Sequence, residues 1–304
     1  MQTLVITGGT GLVGKALSKQ LIAMGYKVIV LTRKKKPATT IEYAEWNVSN
    51  QTIDVAAIQK ADYIIHLAGA GVMDKRWTDA YKKEIVESRT KSSELIVNTL
   101  KNNTNSVKAV ISASAIGWYG PDIIAGKSFI ETDMPDKSFL GETCRLWEDS
   151  IQPVQSLNKR LVILRTGIVL SNDGGAFVEF KKTLKFGVAS ILGSGKQIIS
   201  WIHIDDLCKL YIAAIENENL NGSYNAVAPE PVNNKHLIIE IAKKLKGRFF
   251  IPMHVPSLML KIILGEQSIE VLKGTTVSSN KIQQAGFTFL YPTLDTALVQ
   301  LCKR

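Results

Sequence analysis

Three glycines hold the first chemistry in this chain. In TGGTGLVG, residues 7–14, Gly8, Gly11 and Gly14 follow G-x-x-G-x-x-G spacing. They stand between an apolar run, TLVIT, and a segment with Leu17, Leu21, Ile22 and Met24 at helical intervals. In that strand–loop–helix setting the spacing has a mechanism. Gly8 permits a tight turn, Gly11 lets backbone approach a pyrophosphate with no Cβ in the way, and Gly14 lets the helix pack close to the strand. Thr10, Leu12 and Val13 complete the loop, and the helix start offers free N–H groups and a positive dipole end to phosphate. The expected ligand is a dinucleotide. The competing reading is a glycine-rich turn that holds nothing.

The second apolar run, KVIVLTR, ends in Thr32, Arg33 and three lysines. A carboxylate there accepts hydrogen bonds from the adenosine ribose hydroxyls and would repel a 2′-phosphate. Arg33 instead offers a planar fork that suits phosphate, and Thr32 a hydroxyl. The cofactor expected is NADP(H) in preference to NAD(H), with Lys34 assisting. A solvated charge run is the alternative, and it is the reading taken for Lys35 and Lys36.

These residues need a scaffold. Apolar strands at about 3–9, 27–33, 61–69, 108–115 and 160–170 alternate with amphipathic helices at about 14–26, 77–100 and 140–156. Such alternation predicts βαβ units in a doubly wound parallel sheet of the Rossmann-like α/β class, covered on both faces. After residue 170 the rhythm breaks into Gly-rich loops around a helix at 176–186, then a strand and a helix capped by Asp205 or Asp206. Between 233 and 304 there are 10 Lys/Arg against 4 Asp/Glu, with short elements interrupted by prolines. Residues 1–170 with 201–227 are read as the NAD(P)-binding domain, and 171–200 with 228–304 as a smaller substrate-side or lid domain.

Composition narrows the class. The 304 residues are 45% hydrophobic and 21% charged, with a net charge of +10, as befits a globular protein with anionic ligands or a basic surface. Cys144, Cys208 and Cys302 are scattered, so no disulfide framework or thiolate metal site is expected. His66, His203, His236 and His254 lack metal-ligand spacing. The chain enters a strand at once and has no long apolar run. A signal peptide and a membrane partner are therefore not expected, and the location expected is cytoplasmic. Positive charge is spread out, with no aromatic-interleaved stripe, which argues against nucleic acid.

TGGTGLVG, HLAG (66–69), SASAIGWYG (112–120), LRTGIVL (164–170), WIHIDDL (201–207) and the tail from LKIILGEQ onward together resemble the extended short-chain dehydrogenase/reductase superfamily. The closest likeness is its epimerase family branch, which carries its own C-terminal domain. The resemblance spans nearly the whole chain. It implies hydride transfer on a small molecule, a nucleotide sugar or a carbonyl compound, with a homodimer as an open option. It places Leu67, Ala68, Gly69, Glu84, Arg89 and Val169 against the cofactor, although a plain surface ion pair competes for Glu84 and Arg89. Ser114 matches the superfamily's catalytic serine, with a turn-closing hydroxyl as the alternative, and Ser112 lies on the same strand face. Ser112, Lys196 and Trp201 are candidate substrate contacts.

One part of the pattern is missing. The superfamily pairs a Tyr acid/base with a Lys four residues on, one helical turn away. Here the corresponding positions carry Leu140 and Cys144. Tyr119, in the GWYG loop, is the candidate substitute, and packing is its alternative. The leading expectation is an NADP(H)-dependent oxidoreductase or epimerase-like enzyme. A cofactor-binding sensor without turnover is the second.

Overall fold

The computed structural model describes residues 1–34, 37, 40–124 and 126–303. Lys35 and Lys36 lie outside the described residues. Along the chain run β1 (Thr3–Thr7), α1 (Leu12–Ala23), β2 (Lys27–Thr32), β3 (Glu42–Asn47), β4 (Thr52–Ile53), α2 (Val55–Gln59), β5 (Tyr63–His66), α3 (Asp79–Asn102), β6 (Ala109–Ala115), α4 (Phe139–Ile151) and β7 (Arg160–Thr166). There follow β8 (Ile168–Leu170), α5 (Ala176–Leu184), β9 (Val188–Leu192), β10 (Ile198–Ile199), β11 (Trp201–His203), α6 (Ile204–Glu216), β12 (Gly222–Ala226), β13 (Val232–Asn233), α7 (Asn234–Lys246) and β14 (Ile251–Val255). The chain closes with α8 (Ser257–Leu264), α9 (Ser268–Leu272), α10 (Asn280–Gln284) and α11 (Leu294–Leu301).

Eight strands form one sheet, ordered β12-β7-β6-β5-β1-β2-β3-β4, and every neighbouring pair but β3–β4 is parallel. The strands read as unbroken apolar runs because both faces are covered. Leu4, Ile6, Val28 and Val30 face α1 and α6 in one core, while Val5, Ile29 and Leu31 face α2 and α3 in the other. A third core joins Phe177, Leu184, Leu237, Ile241 and Leu298 from α5, α7 and α11. Strand order reverses between β1 and β5, and in such sheets the crevice beyond the carboxyl ends at this reversal is where ligands bind.

Sequence reading missed β3 and α2. EYAEWN carries two glutamates, and only Ala44 and Trp46 of β3 are buried, so it lacks the continuous apolar signature of its neighbours. The cap of α6 also differs from expectation. His203 is the N-cap, its Nδ1 accepting from Asp205 N at 3.1 Å. Asp206 is instead fully buried and accepts from the backbone N–H groups of Leu290 and Tyr291 at 2.6 and 2.9 Å, pinning the C-terminal segment to α6. Among the described residues no helix is long and apolar enough to cross a membrane.

Candidate functional site

The glycine loop sits at the β1/β5 reversal, and its shape is set by contact with the loop after β5. Gly8 has φ +66°, and a Cβ there would lie 2.8 Å from the carbonyl carbon of Leu67, so the position requires glycine twice over. A Cβ on Gly14 would fall 2.5 Å from Gly8 O. The Thr7 hydroxyl accepts from Leu67 N and Ala68 N at 3.0 and 3.1 Å and lies 2.8 Å from His66 Nδ1. With two N–H groups directed at its oxygen, Thr7 gives its own proton to Nδ1. The proton of a neutral His66 therefore sits on Nε2, facing the Ser92 and Ser93 hydroxyls at 3.3 and 3.2 Å. Both serines donate to Arg89 O. Burial, reinforced by the Arg89 charge, holds the His66 pKa down at about 3. One buried network thus ties the glycine loop, the Leu67–Ala68 turn and α3 together. The adjacent histidine and serines on facing elements are its only trace in the sequence.

Beyond this support the cradle is open. Helix α1 starts on Gly11 without a side-chain cap and with no acid in its first turn. Its leading amides suit an anion. Thr10 and Gly11 are exposed, Leu12 and Val13 half-buried, and Gly69 exposed beside them. At the end of β2, Arg33 is exposed and pairs with no carboxylate among the described residues. Thr32 departs from expectation: it is buried, and its hydroxyl donates to Lys34 O at 2.7 Å, which shapes the turn.

From the cradle a cavity of about 1020 Å³ opens between the sheet's carboxyl edge and the C-terminal elements. Arg89 and Val169 lie on its wall, next to Leu140, Cys144 and Trp147. The Arg89 guanidinium stacks 4.9 Å over the Trp147 ring, donates to Ile85 O at 2.9 Å, and has no carboxylate within ion-pair distance among the described residues. Trp147 Nε1 is buried without an acceptor among the described residues. Burial pushes the Cys144 thiol up to about 12 despite Arg89 nearby, so it is an uncharged, inert group at neutral pH.

The expected proton-transfer residues are elsewhere. Ser114 is buried, and its hydroxyl donates to Glu148 Oε1 at 2.7 Å. Glu148 forms a bidentate pair with Arg165, at 2.8 Å to Nε and 2.9 Å to Nη2. Arg165 stacks 3.6 Å over Trp118 and donates to the Tyr119 hydroxyl at 3.1 Å. Tyr119 is fully buried and donates onward to Asn225 Oδ1 at 2.7 Å, and burial raises its pKa to about 12. It therefore packs beneath the cavity and is no acid for it. Ser112 is buried, its hydroxyl on Ala113 O. Trp201 is buried in the third core, its indole N–H on Glu230 O. Lys196 is exposed and off the cavity wall, where its neighbour Gln197 takes the place. Glu84 forms a surface pair with Lys75 at 3.2 Å. The Glu148–Arg165 pair was missed, yet a charged residue inside the apolar run LVILRT required a buried partner.

Residues 4–227 match the model of the NAD dependent epimerase/dehydratase family. The chain belongs to that family. Residues 255–301 match a domain of unknown function, DUF1731. An epimerase family protein of Staphylococcus aureus (strain NCTC 8325) is 35% identical, each chain being covered in full. A human epimerase family protein crystallised with NADPH is 27% identical and superposes with a TM-score of 0.87 over 99% of both chains. A UDP-glucuronic acid 4-epimerase of Bacillus cereus, crystallised with UDP-glucuronic acid and NAD, is 18% identical with a TM-score of 0.80, covering 99% of this chain and 98% of that one. It shares the fold. Membership of the epimerase/dehydratase family carries an NAD(P)-binding, epimerase-like function, and the cradle of α1 fits such a dinucleotide.

Proposed function

We propose that this protein is an NADP(H)-dependent oxidoreductase or epimerase-like enzyme that works by hydride transfer on a small molecule. The observation that carries the reading is the pairing of an uncapped, acid-free α1 start with Arg33, an exposed cation at the end of β2 with no carboxylate partner among the described residues. The relative crystallised with NADPH supports it. When bound, the cofactor supplies the hydride. The chain supplies the rest. Amides of α1 and the Gly8–Gly14 loop hold the pyrophosphate. Arg33 grips the 2′-phosphate, and Val169 borders the nicotinamide end. Arg89 offers the cavity a positive charge that favours an oxygen as negative charge develops on it. Leu140 and Cys144 move no proton, so the proton comes from water in the cavity. The test is the ratio of dissociation constants for NADPH and NADH by fluorescence titration. NADPH should bind at least tenfold tighter, and equal or tighter NADH binding would sink the assignment.

A second reading, a cofactor-binding sensor without turnover, draws on one observation: Ser114 and Tyr119 are both tied into a closed buried network. NADPH oxidation across a panel of carbonyl compounds separates the two.

A further inference from the structure

The charges on the cavity wall suit a different substrate from the one the family's name suggests. A nucleoside diphosphate sugar brings two phosphate charges and many hydroxyl groups, and a site for it must supply cations and free donors for both. The described cavity wall has two cationic side chains, Arg89 and Lys273. Lys273 is neutralised by Glu270 at 2.9 Å, both largely buried. Asp74 adds negative charge on the wall, while Glu179 is paired with Lys182 at 2.7 Å. Arg89 lies beside Gly69, whose Cβ would come within 3.1 Å of its Cζ, and so stands at the cofactor's end. The uncapped start of α5 belongs there too, since a Cβ on Gly175 would touch Leu12 at the head of α1, 3.4 Å away.

Three neutral polar groups at the far end are engaged within the protein. Gln197 donates to Leu192 O and Val271 O, Ser200 to Thr275 O, and Thr275 to Gly120 O. Thr183 and Ser190 add hydroxyls to the wall, and the rest of the surface there is apolar: Phe180, Leu192, Ile199, Val255, Leu260 and Val271. At the reaction end, Leu140 and Cys144 continue the same apolar wall.

Resting on the NADP(H) reading above, we infer that the substrate is a neutral, largely apolar carbonyl compound, not a nucleoside diphosphate sugar. Its single polar atom, the carbonyl oxygen, turns toward Arg89, and its body lies on the apolar wall. In the reduction, hydride from NADPH carries an electron pair to the carbonyl carbon while the C=O π bond breaks. A proton from water goes to the oxygen, leaving an alcohol, NADP⁺ and a hydroxide ion.

The experiment uses the full-length protein in two arms. NADPH fluorescence titration comes first and judges the cofactor reading alone. Where NADPH does not bind, that reading fails, and calorimetry of 2-cyclohexen-1-one and UDP-glucose on the cofactor-free protein still judges the substrate class. With NADPH bound, benzaldehyde, octanal and 2-cyclohexen-1-one are compared as oxidants of NADPH. UDP-glucose and UDP-glucuronic acid are compared with them by calorimetry. The expected result is saturable NADPH oxidation by a neutral carbonyl compound, with UDP-sugar binding at least a hundredfold weaker. A Thr183→Trp variant, which puts an indole on the cavity wall of α5, should lose at least tenfold in kcat/KM for the neutral compound and keep its NADPH affinity. UDP-sugar binding as tight as that of the neutral compounds overturns the inference, as does a neutral panel that neither oxidises NADPH nor binds.

Discussion

The two halves of the site differ in how their polar groups are satisfied. In the glycine-loop cradle the start of α1 has no side-chain cap, and Arg33 is exposed with no carboxylate partner among the described residues. A few residues away in space, Ser114, Tyr119, Glu148, Arg165 and Asn225 bond one another inside the protein. Open donors at a crevice are a provision for a ligand, whereas closed buried donors hold a fold together. The same superfamily pattern therefore marks a binding site at one end of the crevice and a structural network at the other.

The largest expected effect breaks the closed half. Glu148→Ala leaves Arg165, 3% exposed, without its counter-charge. A loss of about 3–5 kcal/mol in stability follows, measured by urea unfolding. NADPH affinity of the folded protein should stay within threefold. A loss below about 1 kcal/mol would show that water or backbone replaces the carboxylate, and that the network is not structural.

The support beneath the cradle is next. His66 is held at about 3 when folded, chiefly by burial, against 6.5 in a free chain. A lowered imidazole pKa stabilises the fold above pH 6.5. That contribution is lost as pH falls from 6.5 toward 3, because the unfolded chain then binds a proton that the folded one refuses. From pH 6.5 to 5 the loss is about 2 kcal/mol. His66→Gln should flatten that portion of the stability–pH curve. A variant with the same slope as the parent would place the titration on other groups.

How much of this could be read beforehand follows from the same contrast. The glycine spacing, the β2 end and the alternating strands were legible because each depends on local geometry: a loop without Cβ atoms, a strand terminus, a period of apolar residues. The parallel Rossmann-like sheet and the family followed from them. The surroundings of Ser114, Tyr119 and Trp201 were not legible because they are set by partners far along the chain. Ser114 meets Glu148, Tyr119 meets Asn225, and Trp201 meets Glu230. Strand β3 hid because only Ala44 and Trp46 of its residues are buried. The cavity's apolar character was half-visible, in Leu140 and Cys144, but the pairing of Lys273 with Glu270 was not.

Arg33 tests the open half. Arg33→Asp should cost NADPH roughly tenfold to a hundredfold in affinity, about 1.4–2.7 kcal/mol, and leave NADH and the unfolding midpoint unchanged. An equal loss for both cofactors would mean that Arg33 supports the loop and does not select the phosphate.

The smallest effect sharpens the boundary between the halves. In Ser114→Ala, Glu148 loses one donor but keeps both Arg165 N–H groups. Stability should fall by about 0.5–1.5 kcal/mol, the net worth of one buried hydrogen bond. NADPH affinity and carbonyl turnover should hold within twofold, because a hydroxyl donating at 2.7 Å to a buried carboxylate is turned away from the cavity. A hundredfold fall in kcat with stability intact is what a catalytic hydroxyl would give. That result would require Ser114 to rotate off Glu148 when substrate binds, joining the two halves into one active site.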